Sequence, residues 1–513
     1  ATCLSLIAGG LMAYQSGDTG EDGRIADSTN NAPVNIFCKT ATENPNKTAL
    51  YFRIGGLTGW NQINVNNCKN LEKGKVTVKT SIFNNDANTN NVCIGGLVGY
   101  KTVNVIRNSQ NDAEVDVDVD LTITTGEEID LTTVRANIGG LAGYTAKEIL
   151  STTNNGAVNV SGSYVGDLLV GGCIGSCLGG GAHDSITNNG KVTIKGSTTV
   201  GNWFYMGGNL GESLYCRLTY NNGEICVEDG VKVTGRAFIA GNIGFTKGNC
   251  NRIYNSATGI LNIGTGRSTD SAFIAGNLGW AAGETAKDIY TIENRGAITS
   301  DFGSDNYLSV TGSICYTEEF TNEAGKLLSP KTHEIDNYAP ITVTSSVASK
   351  RMYAGGVSRF FGGTCNNITN HETGVVNVTF NTTEHGYIGG ICAHGLKDNS
   401  TDCNNYADFH LSGNVYHSLY GGIIATTANN YTRTRCSNHG DIYCGVKVET
   451  GNIFIAGFVY DIGAMTMRYV DCHNTGDFIV TEECVSAGRI EIGGFVAKME
   501  NEKGVAIFDG CSN

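Results

Sequence analysis

A hydrophobic–small–Gly motif recurs fourteen times along the 513 residues, and a chain spaced this way has few folds open to it. It reads Ile54-Gly55-Gly56-Leu57, Ile94-Gly95-Gly96-Leu97 and Ile138-Gly139-Gly140-Leu141 in early copies, and Ile388-Gly389-Gly390-Ile391 and Ile455-Ala456-Gly457-Phe458 in later ones. Its second small position is Gly at 10, 56, 96, 140, 172, 208, 241, 276, 312, 356, 390, 422, 457 and 494, with gaps of 32–46 residues. A period of 20–50 residues marks a stacked array, in which each unit buries its apolar face only against its neighbours.

Each repeat carries a second element, Asn-x-Gly followed by alternating apolar residues, as in Asn154-Asn155-Gly156-Ala157-Val158-Asn159-Val160. Asn and Gly tolerate positive φ, which predicts a tight turn, and the alternation predicts a strand with one buried face. About three short strands per repeat are expected, with the Gly pair at a crowded corner. Short strands without a helical period predict an all-β, parallel β-solenoid: one continuous array over residues 1–513, about 65 Å long at one coil per repeat. A β-propeller is the rival, but fourteen blades exceed the usual range and its blade signals are absent.

Composition narrows the function classes. Net charge is −14 with no basic cluster longer than a pair, so the footprint for nucleic acid or acidic membrane is missing. No apolar run is long enough for a membrane-spanning helix, so membrane insertion is not expected. The 18 cysteines include no C-x-x-C pair, which favours an oxidising, extracellular or cell-surface setting, with buried free thiols the alternative.

Gly-Gly-Leu-x-Gly-aromatic at Gly55–Trp60, Gly95–Tyr100 and Gly139–Tyr144, with Cys472-His473-Asn474-Thr475-Gly476 as a second half, resembles the GLUG repeat of bacterial surface proteins. The strict pattern is confined to the first four copies, and later ones drift. The resemblance implies surface exposure and adhesion or scaffolding rather than chemistry.

Both termini fall within a repeat. The chain ends on Asp509-Gly510-Cys511-Ser512-Asn513 and starts on Ala1-Thr2-Cys3-Leu4-Ser5-Leu6, and joining the two gives a Gly-to-Gly gap of 29 residues, close to one repeat. Uncapped strand edges are templates for pairing, and head-to-tail pairing of identical chains gives an open filament. Ala1, Thr2, Cys3, Leu4, Leu6, Asp509, Cys511 and Asn513 are the expected assembly residues, and the expected partner is a second copy. A stalk of a longer repeat polypeptide binding host surface or glycan is the alternative, and a glycan-active β-helix enzyme is a third reading.

Cys403, Cys436, Cys472 and Cys511 all precede the turn Asn, so Cys403–Cys436 and Cys472–Cys511 are candidate inter-coil disulfides, or the four form a column of thiols. An aromatic follows the Gly motif at Tyr14, Trp60, Tyr100, Tyr144, Phe245, Trp280 and Tyr316, as a glycan platform or as corner packing. Asp116, Asp118 and Asp120 alternate toward one outer face, as a weak Ca²⁺ site or a solvated stripe without a basic companion. The start of an EF-hand-like loop occurs at residues 18–23. Glycosylation sequons stand at Asn46, Asn159, Asn367, Asn377, Asn381, Asn399 and Asn430. No cofactor is expected. Scattered histidines and the lack of H-E-x-x-H or G-x-S-x-G spacing give no catalytic residues to name.

Overall fold

The structure, a computed structural model, describes residues 2–3, 5–15, 23–40, 51–84, 92–123, 131–179, 183–282, 288–321, 327–396, 398–427, 431–462, 466–499 and 505–513. Among these the chain is all-β, with one 3₁₀ turn at Leu131–Thr133 and no α-helix. The strands wind as a parallel β-solenoid. One coil runs through Phe52–Gly55 (face B), Thr58–Asn61 (face C), Asn64–Asn66 with Lys69–Asn70 (face D), and Val76–Asn84 (face A). That is one face more than the three strands expected from sequence. Coils pair in register: Ile94 lies on Ile54 and on Ile138, and Val117 on Val78 and on Val160. The one antiparallel pair among the described residues joins Phe320–Thr321 to Leu327–Leu328.

The chain divides into two compact units, residues 1–246 with 258–268, and residues 247–257 with 269–513. In the first, Ile54, Ile94, Ile138, Val170 and Met206 form one fully buried row and Val76, Val115, Val158 and Val192 another. In the second, Ile274, Val310, Ile388 and Ile455 repeat the first row. Alternate side chains at these positions face the core because strand residues point to opposite sides in turn.

The two sequence motifs of the repeat meet inside each coil. The Asn of Asn-x-Gly, or the Asn in its place where the Gly is absent or later, is buried and lies against the second Gly, where a Cβ would overlap the Asn amide: Gly56 meets Asn70, Gly140 meets Asn154, Gly312 meets Asn337 and Gly422 meets Asn438. Each Asn Nδ2 donates to the next Asn Oδ1. Asn70, Asn111, Asn154, Asn188 and Asn221 follow one another at 2.8–3.0 Å in the first unit. Asn337, Asn370, Asn405, Asn438 and Asn474 do so at 2.8–2.9 Å in the second. The same Nδ2 also donates to a carbonyl two to four residues on, such as Gly156 O at 2.7 Å and Gly440 O at 3.0 Å.

The chain does bend at Asn-x-Gly, where it passes from face D to face A, but without the positive φ expected there. The residues with positive φ are others, and Gly156, Gly190 and Gly440 are glycine because a Cβ would overlap the backbone of the preceding coil. A second bend sits three residues before the Asn and is made by non-glycine residues in the left-handed region. They include Asn67 (φ 55°), Ser151 (49°), Ser185 (57°) and Leu218 (54°) in the first unit. The second has Thr291 (55°), Glu334 (57°), Asp402 (55°) and Arg435 (50°). Each bend breaks face D and turns the Asn inward.

Candidate functional site

Two regions merit attention: the corner between faces B and C, and the terminal coils. At the corner, the third Gly of Gly-Gly-Leu-x-Gly brings two strands into backbone contact. A Cβ on Gly59 would stand 2.6 Å from Arg53 O, and one on Gly99 2.5 Å from Ile54 N. Outer side chains of the two faces therefore pack together.

In the first unit the Arg53 guanidinium, 4% exposed, lies 3.7 Å from the ring centres of Trp60 and Tyr100 and 4.3 Å from that of Tyr51. Burial lowers its pKa, and the ring faces offset part of the lost hydration. Tyr14 and Trp60 are 4.7 Å apart and Tyr100 and Tyr144 4.9 Å at 15°, while Phe245 packs on Tyr205 at 5.5 Å. In the second unit Trp280, Tyr316 and Phe360 are spaced 4.6 and 4.8 Å. Tyr100 and Tyr144 cover one another's faces at 15°, as Tyr316 and Phe360 do at 13°, whereas Tyr14 meets Trp60 at 55° and Trp60 meets Tyr100 at 87°, so the rings do not line up as one flat surface for a sugar ring.

The same corner holds an ion cluster that the sequence reading missed. Arg135 Nη1 meets Glu212 Oε2 at 2.7 Å and Arg135 Nε meets Asp167 Oδ2 at 3.4 Å, with both carboxylates buried. Ser176 Oγ donates to Glu212 at 3.2 Å, and Asn202 Nδ2 and the Trp203 N–H donate to Asp167 at 2.7 and 3.2 Å. Burial nevertheless pushes the Asp167 carboxyl up to about 6, against the pull of Arg135. Both carboxylates spend their lone pairs on internal donors. A signal existed: Arg135 and Asp167 each stand five positions before the second Gly of their repeats, which is their register. Glu212 comes from face C of another coil, 77 residues from Arg135, and no spacing rule reaches it.

Cys177 and His183 also touch, both fully buried. His183 Nδ1 accepts the Ile149 N–H at 3.1 Å, so the proton is on Nε2 and is directed at the sulfur. Burial lowers the His183 pKa to about 4. A neutral imidazole donating to a buried thiol is the reverse of the pairing that activates a cysteine.

Asp116, Asp118 and Asp120 do share the outer side of face A, but the stripe has a basic companion. Lys75 Nζ of the preceding coil bridges Glu114 at 3.1 Å and Asp116 at 3.5 Å, and Lys79 pairs in register with Asp118. Among the described residues no three His, Cys, Asp or Glu side chains gather around a metal-sized space. The EF-hand-like start at residues 18–23 lies outside the described residues except Gly23.

Cysteines Cys403, Cys436, Cys472 and Cys511 stack in one column, and all four are free thiols. This corrects the expected Cys403–Cys436 and Cys472–Cys511 bridges. In-register strands hold equivalent Cβ atoms near the strand spacing of about 4.8 Å, whereas a disulfide needs about 3.5–4.5 Å. Cys403, Cys436 and Cys472 are buried, each thiol donating to the carbonyl two residues before it, and the neighbouring Cys436 together with burial raises the Cys403 thiol well above its usual range.

Of the sequons, Asn367 and Asn399 are exposed, with Asn367 at a bend (φ 53°) and Asn399 accepting the Thr432 N–H. Asn159, Asn377 and Asn381 are half-buried on face A, where Asn159 donates to Glu114 at 2.8 Å and Asn381 to Ser345 O at 3.0 Å. Asn46 and Asn430 lie outside the described residues.

The expected assembly residues occupy the first and last coils. Thr2 and Cys3 pair with Lys39 and Thr40, and half-buried Leu6 pairs with Phe52. Asp509 is exposed and pairs with Val470, half-exposed Cys511 donates to Asp509 O, and Asn513 Oδ1 accepts Asn474 Nδ2 at 2.7 Å. Ala1 and Leu4 lie outside the described residues. Core rows emerge into solvent here: Ile492 is 49% exposed and Phe508 46% in the last coil, and Leu11 is 46% exposed in the first. Phe495 and Phe508 line a 260 Å³ hollow with Asn513. No protein-family model, curated protein or solved structure matches the chain.

Proposed function

We propose that this chain is a structural, extracellular β-solenoid whose terminal coils pair with further coils, a second copy stacking head to tail into a surface filament or fibre. The carrying observation is the last coil, where Ile490, Ile492 and Phe508, in register with the buried Ile453, Ile455 and Tyr469, are exposed. Contiguous apolar area beside unpaired strand edges favours association. The Asn ladder gives the pairing a direction, because every Nδ2 donates toward the C-terminal neighbour; continuing it brings Asn513 Nδ2 to Asn30 Oδ1 of the next copy. A surface setting rests on the low share of charged residues and the resemblance to GLUG repeats.

The adhesin-stalk reading, with further coils of one longer polypeptide covering the same faces, has its own observation. Asn513 holds the ladder position of Asn30, and Thr2 is in register with Lys39, so a join between copies lacks an equivalent of residues 31–37 on face A. That stretch accounts for the shortness of the 29-residue gap. The two readings differ in what fills it.

Sedimentation velocity and negative-stain microscopy over a concentration series test the proposal. Wild type is expected to form linear multimers, and Ile490→Lys with Ile492→Lys to remain monomeric with unchanged circular dichroism. A wild type that stays monomeric throughout the series removes the self-stacking reading.

A further inference from the structure

One pair of thiols meets from positions that are not equivalent in the repeat. Cys444 belongs to the strand Ile442–Val448 and is fully buried; Cys484 lies in the next coil and is half-exposed. Their sulfurs are 3.9 Å apart. Cys444 is in register with Val480 and Lys447 with Val485, so Gly445 and Val446 on one strand face residues 481–484 on the other. The bulge is a closed turn, with the Cys484 N–H donating to Thr481 O and the Thr481 N–H to Cys444 O, both at 3.0 Å. It frees Cys484 from the fixed spacing that keeps the in-register column of Cys403, Cys436 and Cys472 apart. It also places one partner at the surface, where an oxidant reaches it.

We propose that Cys444 and Cys484 are a redox-reactive pair that closes to a disulfide when the protein meets a small-molecule disulfide, clipping the last face-A segment to the coil before it. The Cys484 thiolate attacks one sulfur of the small disulfide and expels the other half as a thiolate, leaving a mixed disulfide on Cys484. Cys444 then loses its proton and attacks the Cys484 sulfur, expelling the second half. Two cysteine thiols are oxidised, one small disulfide is reduced to two thiols, and those thiols take up the two protons. Thiolate character on Cys484 is favoured by the hydrogen bond from Cys444, while the buried Cys444 thiol is held well above its usual range. This assigns the exposed sulfur as first attacker and the buried one as resolver.

The test incubates the whole reduced chain with oxidised glutathione, blocks free thiols with an alkylating agent, and maps the products by mass spectrometry. Cleavage after Tyr443 and after Glu483 separates Cys444 from Cys436 and Cys484 from Cys472. Wild type is expected to yield a Cys444–Cys484 cross-linked peptide, about 2 Da lighter than the two thiol peptides together. Cys444→Ser is expected to stop with one glutathione on Cys484, and Cys484→Ser to leave Cys444 alkylated only after unfolding. Recovery of wild-type Cys484 as a lasting glutathione adduct, or of both cysteines unoxidised, overturns the proposal. So does cross-linking of Cys484 to another cysteine in Cys444→Ser.

Discussion

At the scale of single residues, the repeat is a contact between an amide and a missing side chain. The second Gly leaves room for the Asn amide, and that amide links its coil to the next, so the two motifs constrain one another although some fourteen residues separate Gly140 from Asn154. Gly140→Ala forces a Cβ into both the Asn154 amide and the Gly172 carbonyl, and the expected loss in chemical denaturation is about 3 kcal/mol or more. Asn154→Asp keeps the shape but removes the donor to Asn188 and Gly156 and buries a charge, so about 3–5 kcal/mol should be lost at neutral pH, and less once acid protonates the carboxylate. Lys101 is fully buried, donating to Asn61 Oδ1 at 2.6 Å and Ile63 O at 2.5 Å, and burial lowers its pKa to about 7. A depressed lysine pKa means that the folded state binds fewer protons. Stability from this group is complete above the unfolded value of about 10 and is lost as pH falls through about 7. Urea unfolding at pH 6 and pH 9 should therefore show Lys101→Met gaining relative to wild type at the lower pH.

At the scale of elements, alternation on face A was plain in the sequence: Val115, Val117 and Val119 go inward and the aspartates outward. Face D was not, because its strand is interrupted by a left-handed residue whose identity varies from Asn to Leu to Arg. A bend imposed by stacking on neighbouring coils leaves no fixed residue type behind. The conformation costs about 1–2 kcal/mol for a residue with a bulky side chain. Leu218→Asn, which tolerates it better, is expected to raise the unfolding midpoint, with about 1 kcal/mol gained at this half-buried position.

At the scale of the whole molecule, the first and last coils bear on association. Apolar side chains such as Ile492 and Leu11 belong to rows that are buried in every interior coil, and only their place in the stack exposes them. A salt series separates this apolar association from charge pairing. Multimers held by core-row residues should persist at high salt, because the screening that weakens exposed ion pairs leaves hydrophobic burial in place. Dissociation on adding salt would point to charges such as Asp509 and Arg468 instead.

The sequence by itself determined the class of fold and the length of its unit, because a hydrophobic–Gly period near 35 residues and a two-residue alternation can be satisfied together only by stacked strands. It also determined which glycines are crowded. Tertiary structure alone decided the rest. It made the Asn of the Asn-x-Gly bend a ladder, brought Arg135 and Glu212 together from different faces, and supplied Lys75 to the acidic stripe. It also kept the equivalent cysteines unbonded while letting Cys444 and Cys484 meet. The reason is common to all of these: stacking juxtaposes residues one or two repeats apart, at distances set by the register of each face, and the register depends on bends that carry no fixed sequence.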